Sequence, residues 1–289
     1  MPPAVRGILW MLAAAVFFAG LNNAVRLGST QVHVFEVVFF RNFFNLIFML
    51  PWLMRIGLGA LKTERLGLHA LRSGFGLFSM FLQFSALALM PLAEATAISF
   101  SSPLFAMIGA ALVVGEKVRA RRWAAIAVGF LGVALVLRPG LAAISLPALM
   151  MLLGSSVVGA GFTCVKLLSR TESPNVMVFF MGLFMAPVSL IPALFVWQWP
   201  SATGWLYLVA VGTCATLAHL CFNRAFAATE ASAVLPFDYL RLPLVALYAY
   251  ILFGEVPDIW TWAGAGMIVA ANLYIAQREA ALARGRRGS

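Results

Sequence analysis

Charged residues are scarce in this chain of 289 residues. Only 10% are Asp, Glu, Lys or Arg, whereas 63% are hydrophobic and the mean hydropathy is +0.95. Soluble domains carry about 25% charged and about 45–50% apolar residues. The composition therefore excludes a soluble protein and indicates an integral membrane protein. The formal net charge of +10 does not predict a nucleic-acid partner, because the basic residues stand between apolar runs, where they orient spans and meet lipid headgroups.

Catalytic and nucleotide-binding motifs are also missing. The only Lys followed by Ser or Thr is Lys62, and Leu61 precedes it, so no Gly-Lys-Ser/Thr phosphate loop is present. The sequence contains neither His-Glu-x-x-His nor Gly-x-Ser-x-Gly. Three cysteines, Cys164, Cys214 and Cys221, lie in apolar runs without metal-ligand spacing. We therefore expect no cofactor, no metal, no ATP-driven pumping and no catalytic residues.

Long apolar runs fill most of the chain. A membrane-spanning helix needs about 20 mostly apolar residues. By this measure the sequence predicts ten spans, at 7–27, 33–54, 69–89, 92–114, 121–138, 147–168, 175–197, 203–225, 230–253 and 258–277. The predicted fold is thus an all-α membrane protein with ten transmembrane helices.

Part of the sequence occurs twice, at one constant offset that aligns Gly115 with Gly254. In each copy an apolar run ends in Gly-Glu, six residues follow, and Trp-Ala begins the next run. The matched residues are Gly115, Glu116 and Trp123 in the first copy, and Gly254, Glu255 and Trp262 in the second. Four basic residues lie between Glu116 and Trp123, whereas none lies between Glu255 and Trp262. Basic loop residues stay in the cytoplasm, so this difference is typical of two copies in opposite orientations.

The distribution of charge predicts the topology. With a cytoplasmic N-terminus, sixteen of the 20 Lys and Arg residues fall on the cytoplasmic side, and only Arg26 and Arg138 fall on the other side. We therefore expect two inverted five-helix repeats, over 1–138 and 139–277, followed by a basic cytoplasmic tail over 278–289. The predicted location is the inner (plasma) membrane, with both termini in the cytoplasm and the lipid bilayer as a partner.

Three ionisable residues lie near the middle of predicted spans, where a charge costs at least about 2.5–3.5 kcal/mol. Arg41 lies in the second span, and Asp238 and Arg241 lie three residues apart in the ninth. Together with Tyr239 they are the main candidates for contacting a substrate. The alternative is that Asp238 and Arg241 form a buried pair with a purely structural role.

Uncharged polar residues in the spans are further candidates for substrate contact. They are Asn22, Asn23, Gln83, Ser99 and Ser102. Each of them could instead bridge two helices. His219 and Asn223, towards the cytoplasmic end of the eighth span, could belong to an inner gate. Glu116 and Glu255, just beyond their spans, are expected to cap the following helix or pair with nearby cations, without contacting substrate.

With ten spans in two halves and Gly-Glu closing spans four and nine, the sequence resembles the drug/metabolite transporter superfamily, and within it the EamA-type transporters. The matching stretches are Ala86-Leu87-Ala88, which leads through Pro103 to Gly115-Glu116, and the run from Gly129 to Val133, together with Arg41 in span two. The second half departs from the pattern, because Leu242 aligns with Pro103. The resemblance implies the export or exchange of small metabolites, amino acids among them.

The sequence thus favours a secondary transporter that moves a small polar or zwitterionic, amino-acid-like metabolite by alternating access. An Asp beside an Arg stays charged at neutral pH and carries protons poorly, which favours export or exchange against a counter-substrate over coupling to protons. Two other functions remain open. One is a membrane-embedded acyl or lipid transferase, for which His219 and Cys221 are the best residues on offer, and the other is a scaffold that transports nothing itself.

Overall fold

A computed structural model describes residues 3–113, 120–138, 145–168, 171–229 and 231–287. All regular structure in these ranges is helical, as predicted. The helices are α1 Pro3–Ser29, α2 Val34–Ile56, a 3-10 helix at Leu58–Leu61, α3 Leu66–Leu89, α4 Leu92–Ser99, α5 Ser102–Val113, α6 Ala120–Leu137, α7 Leu146–Leu168, α8 Pro174–Leu194, α9 Ala202–Ala228, α10 Ala231–Asp238, α11 Arg241–Phe253 and α12 Ile259–Arg287.

Seven stretches of the described chain are long and apolar enough to cross a membrane. Two of them are composite: Leu92–Gly109 joins α4 to α5, and Ala233–Phe253 joins α10 to α11. Two shorter apolar helices, Trp123–Leu137 and Leu146–Phe162, and the 24 residues of α3 bring the number of candidate crossings to ten. The chain is a multi-pass membrane protein.

Two predicted spans are broken near their middles, close to Pro103 in one and between Pro236 and Pro243 in the other, and proline in a span is a signal for a kink. The span at 92–114 breaks at Phe100 and Ser101, and the span at 230–253 breaks at Tyr239 and Leu240. The offset between the two breaks is the same as that between the copies of the repeated motif. Pro103, which has no N–H and suits the first turn of a helix, favours a new start at α5.

Other helices also differ from what their sequences suggest. Proline inside a helix commonly marks a kink, but α2 and α8 run through Pro51, Pro187 and Pro192 without a break. The predicted basic tail over 278–289 is helical as far as Arg287, because α12 continues through it. Its Ala, Arg and Glu residues are strong helix formers, so no local signal ends the helix at 277.

Packing partners come in matched sets. Helix α1 of the first half packs on α9 of the second half, and α7 of the second half packs on α3 of the first half. In addition α2 packs on α8, and α6 packs on α12. Exchanging the two halves turns the α1–α9 pair into the α7–α3 pair, and it turns the α2–α8 and α6–α12 pairs into themselves. At the α6–α12 contact the backbones approach closely, since a Cβ on Gly264 would lie 2.5 Å from the carbonyl oxygen of Gly132. Only small residues permit such an approach.

The hydrogen bonds between loops identify the two ends of the helix bundle. At one end, Arg26 near the end of α1 donates to the carbonyl of Leu87 near the end of α3. At the other end, Arg65 just before α3 donates to the carbonyl of Leu167 near the end of α7. We call these the Arg26 end and the Arg65 end. Because α3 connects them, α1 and α7 run in opposite directions across the bundle.

Candidate substrate site

Arg41 is fully buried although it carries a charge. Its side chain is 2% exposed, and one terminal nitrogen (NH1) donates to Asn42 Oδ1 at 2.9 Å. Asn42 is held in turn, because its Nδ2 donates to the carbonyl of Val38 at 2.9 Å. Within the described ranges Arg41 forms no salt bridge, and its Nε has no hydrogen-bond partner. A buried cation without a counter-charge is costly, so the position is typical of a functional site.

His219 lies against the second terminal nitrogen of Arg41 (NH2), with Nδ1 3.4 Å away. The same Nδ1 is 2.8 Å from the carbonyl oxygen of Ala215, one turn earlier in α9. Two acceptors would repel each other at that distance, so Nδ1 carries the hydrogen and donates to Ala215. It therefore accepts nothing from Arg41, and the guanidinium keeps N–H groups for a ligand.

Arg241 and Asp238 lie on either side of the break between α10 and α11. Asp238 is the last residue of α10 and Arg241 the first of α11, so the pair does not share one continuous helix as predicted. Their closest charged atoms are 4.0 Å apart, beyond hydrogen-bond distance. Arg241 Nε and Asp238 Oδ1 are buried, and neither has a partner in the part of the chain that the structure describes.

Aromatic rings surround these charges. The guanidinium of Arg241 lies 5.2 Å from the ring centre of Phe18 and 4.8 Å from that of Phe100, distances at which a cation is attracted to a ring face. Phe18 also meets the ring of His219 edge to face at 5.3 Å, and Phe100 meets Tyr239 in the same way at 5.0 Å. We call this group the arginine–aromatic cluster: Phe18, Arg41, Phe100, His219, Asp238, Tyr239 and Arg241.

The cluster draws on both halves of the chain. Phe18, Arg41 and Phe100 come from α1, α2 and the break after α4, whereas the other members come from α9, α10, α11 and the break between α10 and α11. Phe100 and Tyr239, which touch each other, are equivalent positions under the offset of the repeat. The broken helices therefore meet where the two halves face each other. Freed backbone groups at such a break need other partners, and Asn272 of α12 donates to the carbonyl of Phe100 at 2.8 Å.

The uncharged candidates make contacts outside this cluster. Asn22 Nδ2 donates to Thr96 Oγ1 at 3.1 Å and so joins α1 to α4. Asn23 donates to the carbonyl of Ala19 in its own helix. Gln83 packs against Gly154 of α7, where an added Cβ would lie 2.8 Å from Gln83 Cγ. Asn22 and Gln83 thus contact a neighbouring helix, as a bridging or packing residue does, whereas the hydrogen bond of Asn23 stays within α1.

The two serines hydrogen-bond to backbone carbonyls nearby. Ser99 donates to Thr96 and Ser102 donates to Ser99, each three residues back along the chain. Of the two gate candidates, His219 contacts Arg41, and Asn223 lies one turn further along α9 and is partly buried. We therefore consider His219 together with the cluster.

The two glutamates of the repeated motif differ in what the structure describes. Glu116 lies outside the described residues. Glu255 pairs with Arg26, one of the two roles expected of it. It also accepts from the N–H of Leu92 at the start of α4, whereas Asp258 caps α12. The helix capped by Glu255 is therefore not the one that follows it in sequence.

Sequence reasoning missed several residues that complete the site. Phe18 is one of 24 phenylalanines, so composition gave no reason to select it. Asn42 and Asn272 had a signal, because each is an amide side chain in a mostly apolar span. Among the residues that the structure describes, no group of three His, Cys, Asp or Glu side chains could hold a metal ion.

Comparison with known proteins supplies independent information. The model of the EamA-like transporter family matches this chain twice, over residues 5–138 and 145–277. A riboflavin transporter of Vibrio cholerae is 35% identical over 98% of this chain and 97% of its own length. An S-adenosylmethionine uptake transporter of Rickettsia prowazekii is 32% identical over 95% of this chain and 94% of its own.

Two more distant similarities extend the comparison. A pseudopaline exporter of Pseudomonas aeruginosa is 26% identical over 94% of this chain and 96% of its own length. One crystal structure superposes with a TM-score of 0.65, covering 94% of this chain and 98% of that one. Its sequence identity is 19%, so this similarity bears on the fold alone.

Proposed function

Since the chain belongs to the EamA-like transporter family and is a transporter rather than an enzyme, we propose that it takes up a riboflavin-like metabolite through the arginine–aromatic cluster. This replaces the amino-acid-like cargo and the outward direction that the sequence alone favoured. Relatives named for riboflavin and for S-adenosylmethionine support a cargo with a planar nitrogen heterocycle, which both molecules contain. The name of the second relative also supports uptake.

One observation carries the choice of cargo: the cluster combines ring faces with buried guanidinium groups that retain free N–H donors. A flavin ring is flat and has carbonyl oxygens at its edge. It can therefore stack on aromatic side chains while accepting hydrogen bonds from Arg41 and Arg241.

Electrostatics distinguishes the two heterocyclic cargos. Among the described members of the cluster, Arg41 and Arg241 contribute two positive charges and Asp238 one negative charge. S-adenosylmethionine carries a positive sulfonium, which such a site repels, whereas riboflavin is neutral. We therefore place riboflavin ahead of S-adenosylmethionine.

A zwitterionic amino acid is the second candidate. Asp238 and Arg241 offer an acid and a base within 4.0 Å of each other, a match for the ammonium and carboxylate groups of such a molecule. This candidate leaves the rings of Phe18 and Phe100 without a role in recognition.

We further propose that the two family matches are inverted five-helix repeats, at 1–138 and 139–277, in the inner membrane with both termini in the cytoplasm. The opposite directions of α1 and α7 and the exchangeable helix pairs support this arrangement. The excess of basic residues on one side supports the orientation. The Arg26 end then faces away from the cytoplasm. The residues beyond Gln277 are proposed to be cytoplasmic as well.

Counterflow in proteoliposomes tests the proposed cargo. Vesicles preloaded with unlabelled riboflavin should accumulate labelled riboflavin transiently, without any imposed ion gradient. Arg241→Ala should abolish this accumulation, whereas Arg55→Ala, on the exposed last turn of α2, should retain it. Accumulation of labelled S-adenosylmethionine or of an amino acid, but not of riboflavin, would contradict the choice of cargo.

A further inference from the structure

Arg26 holds together several chain segments at its end of the bundle. Its Nε donates to the carbonyl of Leu87 at 2.5 Å, NH1 donates to Glu255 Oε1 at 3.0 Å, and NH2 donates to the carbonyl of Met90. The Arg26 and Glu255 side chains are only 17% and 22% exposed. Charge-assisted hydrogen bonds with this degree of shielding are stronger than those of an exposed ion pair.

Glu255 extends this contact from one half of the chain to the other. Its second carboxylate oxygen accepts from the backbone N–H of Leu92 at 2.9 Å. Gly254, at φ 69°, ends α11 in the left-handed conformation and turns the chain towards this position. Glu255 thus connects the end of α11 to the start of α4. We call the group Arg26, Glu255 and the Leu92 N–H the clasp.

The helices that the clasp joins also carry the substrate cluster. The eight residues of α4 lead from Leu92 to Ser99, beside Phe100, over about 12 Å. At its other end α11 begins with Arg241. The 4.8 Å contact between Arg241 and Phe100 therefore depends on how α4 and α11 lie against each other. Separating the two helices at the Arg26 end would disturb this contact.

Packing at the two ends of the bundle is unequal. The half-helices α4 and α11 pack against each other at the Arg26 end. Exchange of the two halves relates this pair to α10 and α5 at the opposite end. No comparable packing joins α10 Ala231–Asp238 to α5 Ser102–Val113 in the ranges that the structure describes. The structure is thus closed between the half-helices at the Arg26 end, and the corresponding pair at the other end is apart.

We propose that the clasp is the gate at the Arg26 end, which must release for cargo to enter from that side. The proposal builds on the proposed transport by alternating access, which requires the contacts between halves at one end to break when the other end closes. Glu255 supplies its charge to both bonds between the halves. Losing that charge should raise the ratio of open to closed molecules by about 10- to 100-fold, the equivalent of one charge-assisted hydrogen bond.

The structure offers a matched control at the same end. Arg138 pairs with Asp258, and both side chains are more exposed, at 32% and 37%. This pair connects the end of α6 to the start of α12, and neither residue is a member of the clasp. Arg138→Gln therefore removes an ion pair from the same face while leaving the clasp intact.

Distance measurements between spin labels test the gate without any substrate, so the result does not depend on which cargo is carried. Labels at Leu89→Cys and Val256→Cys, two exposed positions in different halves of the chain and next in sequence to Met90 and Glu255, report its opening by double electron–electron resonance. The native Cys164, Cys214 and Cys221 are replaced by alanine in the labelled parent.

In the labelled parent we expect one predominant short distance. Glu255→Gln and Arg26→Lys, which preserve size or charge, should each add a longer-distance population, and Arg138→Gln should match the parent. A broad distribution in the parent would overturn the proposal even if the variants failed to fold. Distance distributions in Glu255→Gln and Arg26→Lys that equal that of the parent would also overturn the proposal. Riboflavin counterflow that failed while these distances changed as expected would count against the proposed cargo and leave the gate standing.

Discussion

Replacing Arg41 with methionine should separate the contribution of this residue to binding from its contribution to folding. Methionine fills a similar volume without charge, and Arg41 is 2% exposed. The substitution removes the hydrogen bond from Arg41 to Asn42, which costs about 1 kcal/mol. Asn42 keeps its 2.9 Å bond to the carbonyl of Val38, so it is not left without a partner.

Removing the buried charge of Arg41 should stabilise the protein by more than the loss of this hydrogen bond destabilises it. Burial of one unpaired charge costs on the order of several kcal/mol. Arg41 forms no salt bridge with any residue in the described ranges, so methionine relieves this cost. We therefore expect the ligand-free variant to be as stable as the parent or more stable, measured by its apparent Tm in detergent.

Ligand binding should change in the opposite direction. A hydrogen bond from a charged donor contributes about 1.5–3 kcal/mol, so Arg41→Met should weaken riboflavin binding about 10- to 100-fold. Quenching of flavin fluorescence during titration with the protein measures this affinity. Arg55→Met, on the exposed last turn of the same helix, is the control and should bind as the parent does. Unchanged affinity in Arg41→Met, or a large loss of stability with unchanged affinity, would refute the reasoning.

Three further predictions concern other contacts. Asn272→Leu should lower the free energy of unfolding by about 1–3 kcal/mol, because it leaves the buried carbonyl of Phe100 without its donor. Asn223→Leu is the control, and an apparent Tm of Asn272→Leu no lower than that of this control would contradict the prediction. Gly264→Ala should lower the apparent Tm, because the added Cβ would lie 2.5 Å from a carbonyl oxygen, whereas Gly266→Ala, with nothing within 4 Å, should not. An imposed pH gradient should leave the initial rate of riboflavin uptake unchanged, because the proposed cargo is neutral and the one acid among the described members of the cluster, Asp238, lies 4.0 Å from Arg241. A marked stimulation would indicate proton coupling.

Sequence reasoning was most successful where the signal is local or repeated. Runs of apolar residues placed the helices, and Phe100 and Tyr239, whose rings touch, are separated by the constant offset of the repeat. The charges of Arg41, Asp238 and Arg241 stood out because they are costly at membrane depth. Such features require no knowledge of the packing.

Contacts between distant parts of the chain could not be predicted from the sequence. Arg41 meets His219 across 178 residues, and Arg26 meets Glu255 across 229. No periodicity links the members of such pairs, because the packing of the two halves brings them together. The same applies to Phe18, which only its position between His219 and Arg241 distinguishes from the other phenylalanines.

A structure determined with riboflavin bound is the most direct test of the central claim, which is that cargo binds where the two halves meet. We expect the flavin ring to lie against Phe18 or Phe100, with its carbonyl oxygens within hydrogen-bond distance of Arg41 and Arg241. A flavin bound elsewhere, in contact with only one half of the chain, would contradict the account.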